Sequence, residues 1–306
     1  MRIVFFGTPE FAVPSLRALL GEGFDIAAVV TQPDQPLGRS RSRTVPPPVK
    51  AAALEEALAI LQPGKPTDPD FLRSLHQVEP ELGVVVAYGH ILKADLLAVP
   101  RRGMINVHAS LLPRFRGAAP IQHALMAGET ETGISIIQLD EGMDTGPVLH
   151  RVATPVAPDE TGGELTARLS ELGALALVAA VSLLANGEAR PEPQDHARAT
   201  YAPKLTRELA RIRWEAPADR VARLARALDP RPGAWTTLGG KDVKLFAPRA
   251  GAGTGEPGTV IAASPLAVAT GTGVLVFNEV QPAGKDRMLA DQWARGRGVS
   301  AGQRFE

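Results

Sequence analysis

Short apolar runs alternate along the first half of the chain with segments whose apolar residues recur every three or four positions. Five runs have the composition of strands, at residues 2–6, 25–30, 82–87, 104–107 and 134–139. Four helical segments lie among them, after the turn at 7–9 and at 49–58, 69–78 and 120–127. Strands that alternate with helices predict an α/β fold with a Rossmann-like, doubly wound and mostly parallel sheet.

The last third of the chain has a different pattern. A long helix is expected at 164–185, where Asn186-Gly187 supplies a stop signal. The polar segment 188–204 contains three prolines and is typical of an interdomain linker. A short helix at 217–228 then precedes five strand candidates separated by Gly and Pro, at 234–238, 243–246, 259–262, 266–269 and 274–280. Their number and spacing predict a small β-barrel.

The length and composition agree with two soluble domains. A chain of 306 residues is expected to divide, here into residues 1–187 and 205–306 joined by the linker 188–204. The absence of cysteine excludes disulfides, a Cys nucleophile and Cys-ligated zinc or iron–sulfur sites. The first apolar run is too short for a signal peptide, and the longest run, 174–185, is too short to span a bilayer. We therefore expect a cytoplasmic protein without a membrane partner.

Charge is balanced overall but not along the chain. Residues 206–306 carry 15 Lys and Arg against 10 Asp and Glu, whereas the remainder carries 18 against 23. A basic C-terminal third beside an acidic body suggests a polyanionic partner. The alternative interpretation is a chance distribution of solvated charge, and the charge count alone leaves both open.

Polar side chains that could take part in catalysis or binding occur where predicted strands end. Asn106 and His108 are two apart in the strand beginning at 104, so they share one face. Polar groups on an apolar strand cost desolvation energy unless they have a use. Ligands of doubly wound sheets bind outside the carboxyl ends of the strands. The turn at Gly7, His108 and the acidic loop 140–144 all fall at such ends, which predicts a site there.

Several other chemistries lack their motifs. The segment Gly7-Thr8-Pro9-Glu10 has one glycine where a dinucleotide fingerprint needs three, so it is interpreted as a tight turn and not as a nicotinamide or flavin site. The six histidines never show a spacing such as H-E-x-x-H, and there is no P-loop and no G-x-S-x-G elbow. No metal is therefore expected.

Motifs over nearly the whole chain resemble those of the 10-formyltetrahydrofolate-dependent formyltransferases. They are MRIVFFGTPEFA, TQPDQPLGR, VVVAYGHIL, INVHASLLPRFRGAAPIQ, DEGMDTGPVL, TYAPKL and RPGAW, in this order. The resemblance implies a formyltransferase domain followed by an OB-like barrel. It departs at Lys93, where Pro is common, at Arg213, where an acid is usual, and in the Arg-Ser-Arg-Ser-Arg run at 39–43, where Gly and Lys are more typical.

The resemblance also implies the site residues. Asn106, His108 and Asp144 match the catalytic trio of the family: Asn106 and His108 would stabilise the oxyanion, and His108 held by Asp144 would manage protons. The cosubstrate 10-formyltetrahydrofolate would lie against three segments, which contribute Tyr88, Gly89, Ser110, Leu111, Leu112, Pro113 and Asp140. The folate is a cosubstrate, and the family needs no metal for this step.

A basic loop indicates the acceptor. The segment 32–50 carries Arg39, Arg41 and Arg43, and in family members that formylate methionyl initiator tRNA an insertion here reaches into the acceptor stem. The alternative interpretation is a mobile surface loop. We expect a monomeric enzyme that transfers a formyl group to the amino group of methionine on initiator tRNA. The alternatives are a small-molecule formyltransferase, such as one acting on glycinamide ribonucleotide or an amino sugar, a formyltetrahydrofolate hydrolase, and a non-catalytic RNA-binding protein.

Overall fold

The computed structural model describes residues 1–37 and 43–306, and it separates into two compact units. The first unit comprises residues 1–117, 131–155 and 166–202, and the second comprises 118–130, 156–165 and 203–306. The units therefore interleave along the chain, because two short excursions of the N-terminal part belong to the second unit.

The first unit is built on a seven-stranded sheet. Its strands and an adjoining two-stranded hairpin are, in chain order, β1 (Arg2–Gly7), β2 (Asp25–Val30), β3 (Gln35–Leu37), β4 (Arg43–Val45), β5 (Ile60–Leu61), β6 (Leu82–Val86), β7 (Met104–His108), β8 (Glu131–Gln138) and β9 (Val148–Pro155). The sheet order is β5-β2-β1-β6-β7-β8-β9, with β3 and β4 paired separately. The pairs from β5 to β7 are parallel, and β7–β8 and β8–β9 are antiparallel.

This topology confirms the predicted mostly parallel sheet. The five expected strands are present, although β8 begins three residues before the predicted start. Two strands of the seven-stranded sheet, β5 and β9, were not predicted from the pattern, and neither was the β3–β4 pair. β5 is only two residues long, and β9 is an edge strand in which exposed or half-exposed positions interrupt the apolar ones after its first two residues. Neither supplies the continuous apolar run that marks a strand covered on both faces.

Six α-helices lie among the described residues that precede residue 188. They are α1 (Val13–Gly21), α2 (Pro48–Glu55), α3 (Pro69–Val78), α4 (Ala94–Leu97), α5 (Pro120–Ala127) and α6 (Gly162–Ala185). Helix α3 has the bounds predicted from the sequence. Its N-terminus is capped by Asp68, whose carboxylate accepts hydrogen bonds from the backbone of Asp70 at 2.8 Å and of Phe71 at 3.4 Å. Helix α5 also keeps its predicted bounds and belongs to the second unit.

Helix α6 is long and apolar enough, by length and composition, to cross a membrane. Its inner face is nevertheless buried as a core helix of the first unit, with Leu169 and Leu177 fully inaccessible. Gly173 lies against Val107 of β7 and Ile134 of β8, where a Cβ atom would come within 3.1 Å of Val107. The close approach that glycine permits here brings the helix onto the two strands that carry and flank His108.

The second unit contains α7 (Ala218–Ala227), β10 (Trp235–Leu238), β11 (Lys241–Gly251), β12 (Val260–Ala263), β13 (Leu266–Ala269), β14 (Val274–Pro282), β15 (Met288–Leu289) and α8 (Ala290–Arg295). The antiparallel order is β10-β11-β14-β13-β12, with β15 on β14. Trp214, Phe277 and Phe305 form its aromatic centre, with Trp214 stacked on Phe305 at 5.7 Å. The predicted small β-barrel is found as an antiparallel half-barrel.

The polar segment 188–202 packs into the first unit. Val148 and Glu192 exchange both backbone hydrogen bonds at 2.8 Å, and the backbone N–H of Ala202 donates to the carbonyl of Arg116 at 2.7 Å. Prolines and polar side chains mark this segment as irregular but do not indicate what it packs against. The structure shows that it lies along the loop that follows β7.

Candidate active site

The carboxyl end of β7 places two polar side chains beside the acidic loop. Asn106 pairs in register with Val85 of β6 and Ile137 of β8, and His108 pairs with Ser135. The loop between β8 and β9 returns to the same edge and carries Asp144. Because β6, β7 and β8 are almost entirely buried, the polar groups at the ends of these strands have fixed positions.

His108 is almost completely buried and has a different partner at each ring nitrogen. Its Nε2 lies 2.9 Å from the carbonyl oxygen of Phe115, and its Nδ1 lies 3.6 Å from Oδ2 of Asp144. A carbonyl oxygen can only accept, so the contact with Phe115 assigns a proton to Nε2. In the neutral ring, Nδ1 is then a bare acceptor that faces a carboxylate. A proton delivered to Nδ1 turns this pair into an ion pair.

Asp144 is held from both its side chain and its backbone. The backbone N–H of Gly117 donates to Oδ2 at 2.8 Å, and the side-chain amide of Gln194 donates to the Asp144 carbonyl at 2.8 Å. Asp144 has a φ of 53°, in the left-handed region that aspartate tolerates better than most residues. The carboxylate is therefore fixed in a backbone conformation that its neighbours must maintain.

Asn106 differs from His108 and Asp144 because its side chain has no hydrogen-bond partner among the described residues. It is half-buried at the end of the buried strand. Across the described ranges 1–37 and 43–306, its amide makes no hydrogen bond, and its polar atoms are not fully buried. A half-buried amide without a protein partner can donate to a ligand without first breaking an internal bond.

The Tyr88–Gly89 segment contributes backbone to this edge, while the Tyr88 ring belongs to the core. Tyr88 is 1% exposed and meets Phe6 edge-on at 5.5 Å. Burial raises the pKa of Tyr88 to about 12. Its carbonyl accepts hydrogen bonds from Thr8 Oγ1 and Gln32 Nε2, both at 3.0 Å. A Cβ atom on Gly89, whose φ is 90°, would collide with the Gln32 amide.

The turn from Ser110 to Pro113 is fixed by the neighbouring strand. Ser135 Oγ donates to the Ser110 carbonyl at 2.8 Å and accepts from the backbone N–H of Leu112 at 3.1 Å. Leu112 is buried in a small apolar cluster, whereas Leu111 and Pro113 are half-buried. Ser110 is fully buried and its hydroxyl donates to the Arg114 carbonyl at 2.6 Å. Of this predicted set, Leu111 and Pro113 are the side chains that remain accessible.

Asp140 shapes the acidic loop from within. Its Oδ1 accepts hydrogen bonds from the backbone N–H of Gly142 at 3.0 Å and from Thr145 Oγ1 at 2.7 Å. The next residues are exposed, including Met143, which is 59% accessible. The predicted folate segments thus consist of turns that are fixed by hydrogen bonds and that present backbone and a few apolar side chains.

The predicted tRNA arginines are only partly covered by the structure. Arg39 and Arg41 lie outside the described residues, and Arg43 is described only as the first residue of β4. The base of this loop is well defined. Lys50 Nζ donates to both carboxylate oxygens of Asp34, at 2.7 and 2.9 Å, and to Gln62 Oε1 at 2.7 Å. Hydrogen bonds from Lys50 and then from Gln62 lower the pKa of Asp34.

Two residues at this site were not predicted from the sequence. Arg116 is a buried arginine two residues past Arg114, and Gln194 lies in the segment interpreted as a linker. The Arg-Gly-Ala-Ala-Pro motif was interpreted as the start of a helix. A single glutamine in a proline-containing segment does not indicate a functional role. Within the described part of the chain, no group of three or more His, Asp or Glu could hold a metal ion.

The formyl transferase family profile matches residues 1–181, and the profile of the formyl transferase C-terminal domain matches residues 204–298. The chain therefore belongs to the formyl transferase family. An N-formyltransferase from Helicobacter canadensis, solved with folinic acid and dTDP-3-aminofucose, shares this fold with a TM-score of 0.70 at 15% identity, over 92% of this chain and 98% of that one.

Relatives with similar sequences identify the branch of this family. The methionyl-tRNA formyltransferase of Myxococcus xanthus is 47% identical over 98% of this chain and 96% of its own length. That of Stutzerimonas stutzeri is 48% identical over 95% of this chain and 93% of its own. The chain belongs to the methionyl-tRNA formyltransferase family.

Proposed function

We propose that this protein transfers the formyl group of 10-formyltetrahydrofolate to the free amino group of methionyl initiator tRNA, for translation initiation. The observation that carries the proposal is the His108 ring, whose Nδ1 faces Asp144 at 3.6 Å, with the Asn106 amide on the same strand end. The relatives' name supplies the acceptor. We place the reaction in the cytoplasm and attribute it to a monomer.

The chemistry required is acyl transfer to nitrogen. The acceptor amine bonds to the formyl carbon, the bond from that carbon to the folate nitrogen breaks, and negative charge develops on the formyl oxygen in between. The amine must lose a proton and the leaving nitrogen must gain one. A donor for the oxygen and a group that both takes and returns a proton are sufficient.

Residues at the β7 edge match these tasks. The Asn106 amide donates to the developing oxyanion. His108 takes the amine proton at Nδ1, because Nε2 is already committed to Phe115. The resulting imidazolium is stabilised by Asp144 and offers an Nδ1–H that donates to the oxyanion or returns the proton to the leaving nitrogen. Asp144 keeps its charge throughout and orients the ring.

The predicted folate segments fit a planar ring with polar edges. The Gly89 backbone is exposed beside Ile91, which is 81% accessible, and the acidic loop exposes Met143. Backbone groups suit the hydrogen-bonding edge of a pterin, and apolar side chains suit its faces. The core position of the Tyr88 ring restricts that residue to backbone contact.

Each unit offers cationic groups to a tRNA. In the first unit, Lys50, Asp34 and Gln62 fix the base of the arginine loop, which we propose reaches the acceptor stem. In the second unit, a cavity of about 710 Å³ is lined by Arg231, Lys244 and five other residues. We propose that this basic cleft, defined by Arg231 and Lys244, contacts tRNA phosphates.

A single assay tests the function and separates it from the alternatives. The protein is incubated with 10-formyltetrahydrofolate and methionyl initiator tRNA, and the hydrolysed ester is examined for formylmethionine. Matched reactions contain methionyl elongator tRNA, free methionine, glycinamide ribonucleotide or an amino-sugar nucleotide. We expect formylmethionine from the initiator tRNA alone. Formate release without formylmethionine would identify a hydrolase, formylation of a small amine would identify the small-molecule alternative, and tRNA binding without turnover would identify a binding protein.

A further inference from the structure

Arg116 is a buried cation without a carboxylate partner among the described residues. It is 2% exposed. Its Nε and one terminal nitrogen donate to Gln194 Oε1 at 3.1 and 2.7 Å, and the same terminal nitrogen lies 3.2 Å from His196 Nδ1. Burial of a charge against neutral groups is costly, and an apolar side chain of similar size would fill the same space. The arginine therefore has a use beyond packing.

Gln194 connects this cation to the acidic loop. While its Oε1 accepts from Arg116, its Nε2 donates to the carbonyls of Asp144 at 2.8 Å and of Gly146 at 2.7 Å. Every one of these contacts requires the same orientation of the amide. Arg116 thus fixes the orientation of Gln194, and Gln194 fixes the backbone on which the Asp144 carboxylate is carried.

The backbone around Arg116 holds the catalytic pair directly. The preceding carbonyl, of Phe115, is the partner of His108 Nε2 at 2.9 Å. The following N–H, of Gly117, donates to the Asp144 carboxylate at 2.8 Å. Arg116 itself is bonded on both sides to the returning segment, its N–H to the Thr200 carbonyl at 2.8 Å and its carbonyl to the Ala202 N–H at 2.7 Å.

We propose that Arg116 and Gln194 are positioning residues, which set the His108–Asp144 geometry, and that residues 192–202 belong to the active site and are not a passive connection. Proton transfer and acyl transfer depend steeply on placement, so a displacement of about 1 Å can cost about 100-fold in rate. Asp144 needs such support because its left-handed backbone is not self-maintaining. The inference rests on the proposed formyl transfer for its kinetic test only.

The key variant is Gln194→Glu, because it separates stability from positioning. A carboxylate at 194 keeps the acceptor for Arg116 and adds an ion pair, so the buried cation is better satisfied than before. It also removes the donor to Asp144 and Gly146 and brings an acceptor against two carbonyl oxygens. We expect a folded protein in which kcat falls by about 10- to 100-fold while KM for folate and for tRNA changes little. Unchanged kcat in the folded variant would overturn the proposal.

A second variant and a control keep the test sharp. Gln194→Met, of similar length, removes the same donors without new charge and serves if Gln194→Glu does not fold. Ser170→Ala is the matched control, because it deletes another side-chain hydrogen bond of the first unit, to the Phe11 carbonyl at 2.8 Å, that involves neither residues 115–117 nor residues 140–146. We expect Ser170→Ala to retain wild-type kcat.

Coupling distinguishes positioning from general damage. In an Asp144→Asn background, the Gln194 substitution should add less than about 3-fold, because groups that act through one another are not additive. A full multiplicative loss would show that Gln194 does not act through Asp144.

The ring chemical shifts of His108, measured by NMR at fixed pH and assigned with a His108→Gln variant, report the His108–Asp144 contact and need no turnover. These chemical shifts should move in Gln194→Glu and in Gln194→Met, where the carboxylate of Asp144 is displaced, and stay unchanged in Ser170→Ala. Unmoved His108 chemical shifts in both Gln194 variants would overturn the proposal even if the protein proves not to be a formyl transferase. A wild-type protein without transfer activity would instead overturn the proposed function alone.

Discussion

His108 Nδ1 lies 3.6 Å from Oδ2 of Asp144, while Nε2 of the same ring lies 2.9 Å from the Phe115 carbonyl. The contact with Phe115 determines the tautomer of the neutral His108 ring. Because Phe115 can only accept, the neutral imidazole keeps its proton on Nε2 and presents a lone pair toward the carboxylate. In this tautomer Nδ1 can accept a proton, as a general base must before the reaction.

The trio is the first test of this arrangement. Asn106→Ala and His108→Ala should each lower the formyl transfer rate by about 100-fold or more, by analogy with loss of an oxyanion donor or general base. Asp144→Asn should behave alike, because asparagine tolerates the left-handed conformation and can still accept from Gly117, but cannot stabilise an imidazolium. Single-turnover rates measure the effect, and thermal unfolding checks the fold. Near wild-type transfer by His108→Ala would rule out this assignment.

The position of Tyr88 gives a second prediction, with a contrasting pair of variants. Its buried hydroxyl has no partner within the described residues, so Tyr88→Phe should be at least as stable as the wild type and leave folate KM unchanged. Gly89→Ala should destabilise the fold by about 1–3 kcal/mol and raise folate KM, because a positive φ and the Gln32 amide both oppose a side chain. Urea unfolding and folate kinetics provide the measurements. A large folate defect in Tyr88→Phe would place the ring in the cleft.

Much of this architecture follows from local pattern. The bounds of α3 and α5 agree with prediction because an aspartate cap, prolines at the first turns and apolar stripes act within a few residues. Asn106 and His108 were expected at a strand end because two polar groups interrupt an apolar run. The edge strand β9 was not predicted because only its first two residues are buried and its apolar run is short.

Contacts between distant segments could not be predicted from local sequence patterns. Arg116 and Gln194 are 78 residues apart, and the bond between them depends on how residues 192–202 return to the sheet edge. No periodicity encodes such a return. The separation of Tyr88 into a buried ring and an accessible backbone likewise depends on packing against Phe6, which the Tyr-Gly pair does not reveal.

The base of the arginine loop gives a pH-dependent prediction. The pKa of Asp34 is lowered in the folded protein, chiefly by its hydrogen bond with Lys50. A depressed pKa means that its stabilisation is present above the ordinary aspartate range and is lost as pH falls through the folded pKa. The stability difference between wild type and Asp34→Asn should therefore be constant near neutrality and shrink in acid below about pH 4. Urea unfolding across this range measures it; a difference that grows in acid would contradict the sign.

The loop itself is tested through Arg39. Arg39→Ala should weaken the use of tRNA by about 1–3 kcal/mol in kcat/KM, as for loss of a specific arginine contact. Folate kinetics should barely change, because the predicted folate segments belong to other loops. Gln35→Ala, a substitution in β3 of a residue whose amide donates to the nearby Pro33 carbonyl at 3.4 Å, provides a neutral control. Equal damage to the folate and tRNA parameters would argue against a tRNA-specific role.

The basic cleft of the second unit gives the last prediction. Arg287 lies in the same cavity but is neutralised by Asp229, with which it makes hydrogen bonds of 2.6 and 3.0 Å. No acidic partner of Arg231 or Lys244 is found among the residues that the structure describes, so these two cations are available to phosphates.

Phosphate contacts release counterions, and each one removed should lower the slope of log affinity against log salt by about 1. The double variant Arg231→Ala and Lys244→Ala should therefore bind tRNA more weakly, with a slope reduced by about 2. Arg213→Ala is the matched control, because this exposed arginine is already paired with Glu208 at 2.9 Å. Folate KM reports an intact first unit in all three proteins. If the double variant retains both the wild-type slope and the wild-type affinity, the cleft does not contact the nucleic acid, and the positive charge of the C-terminal third is a solvated surface.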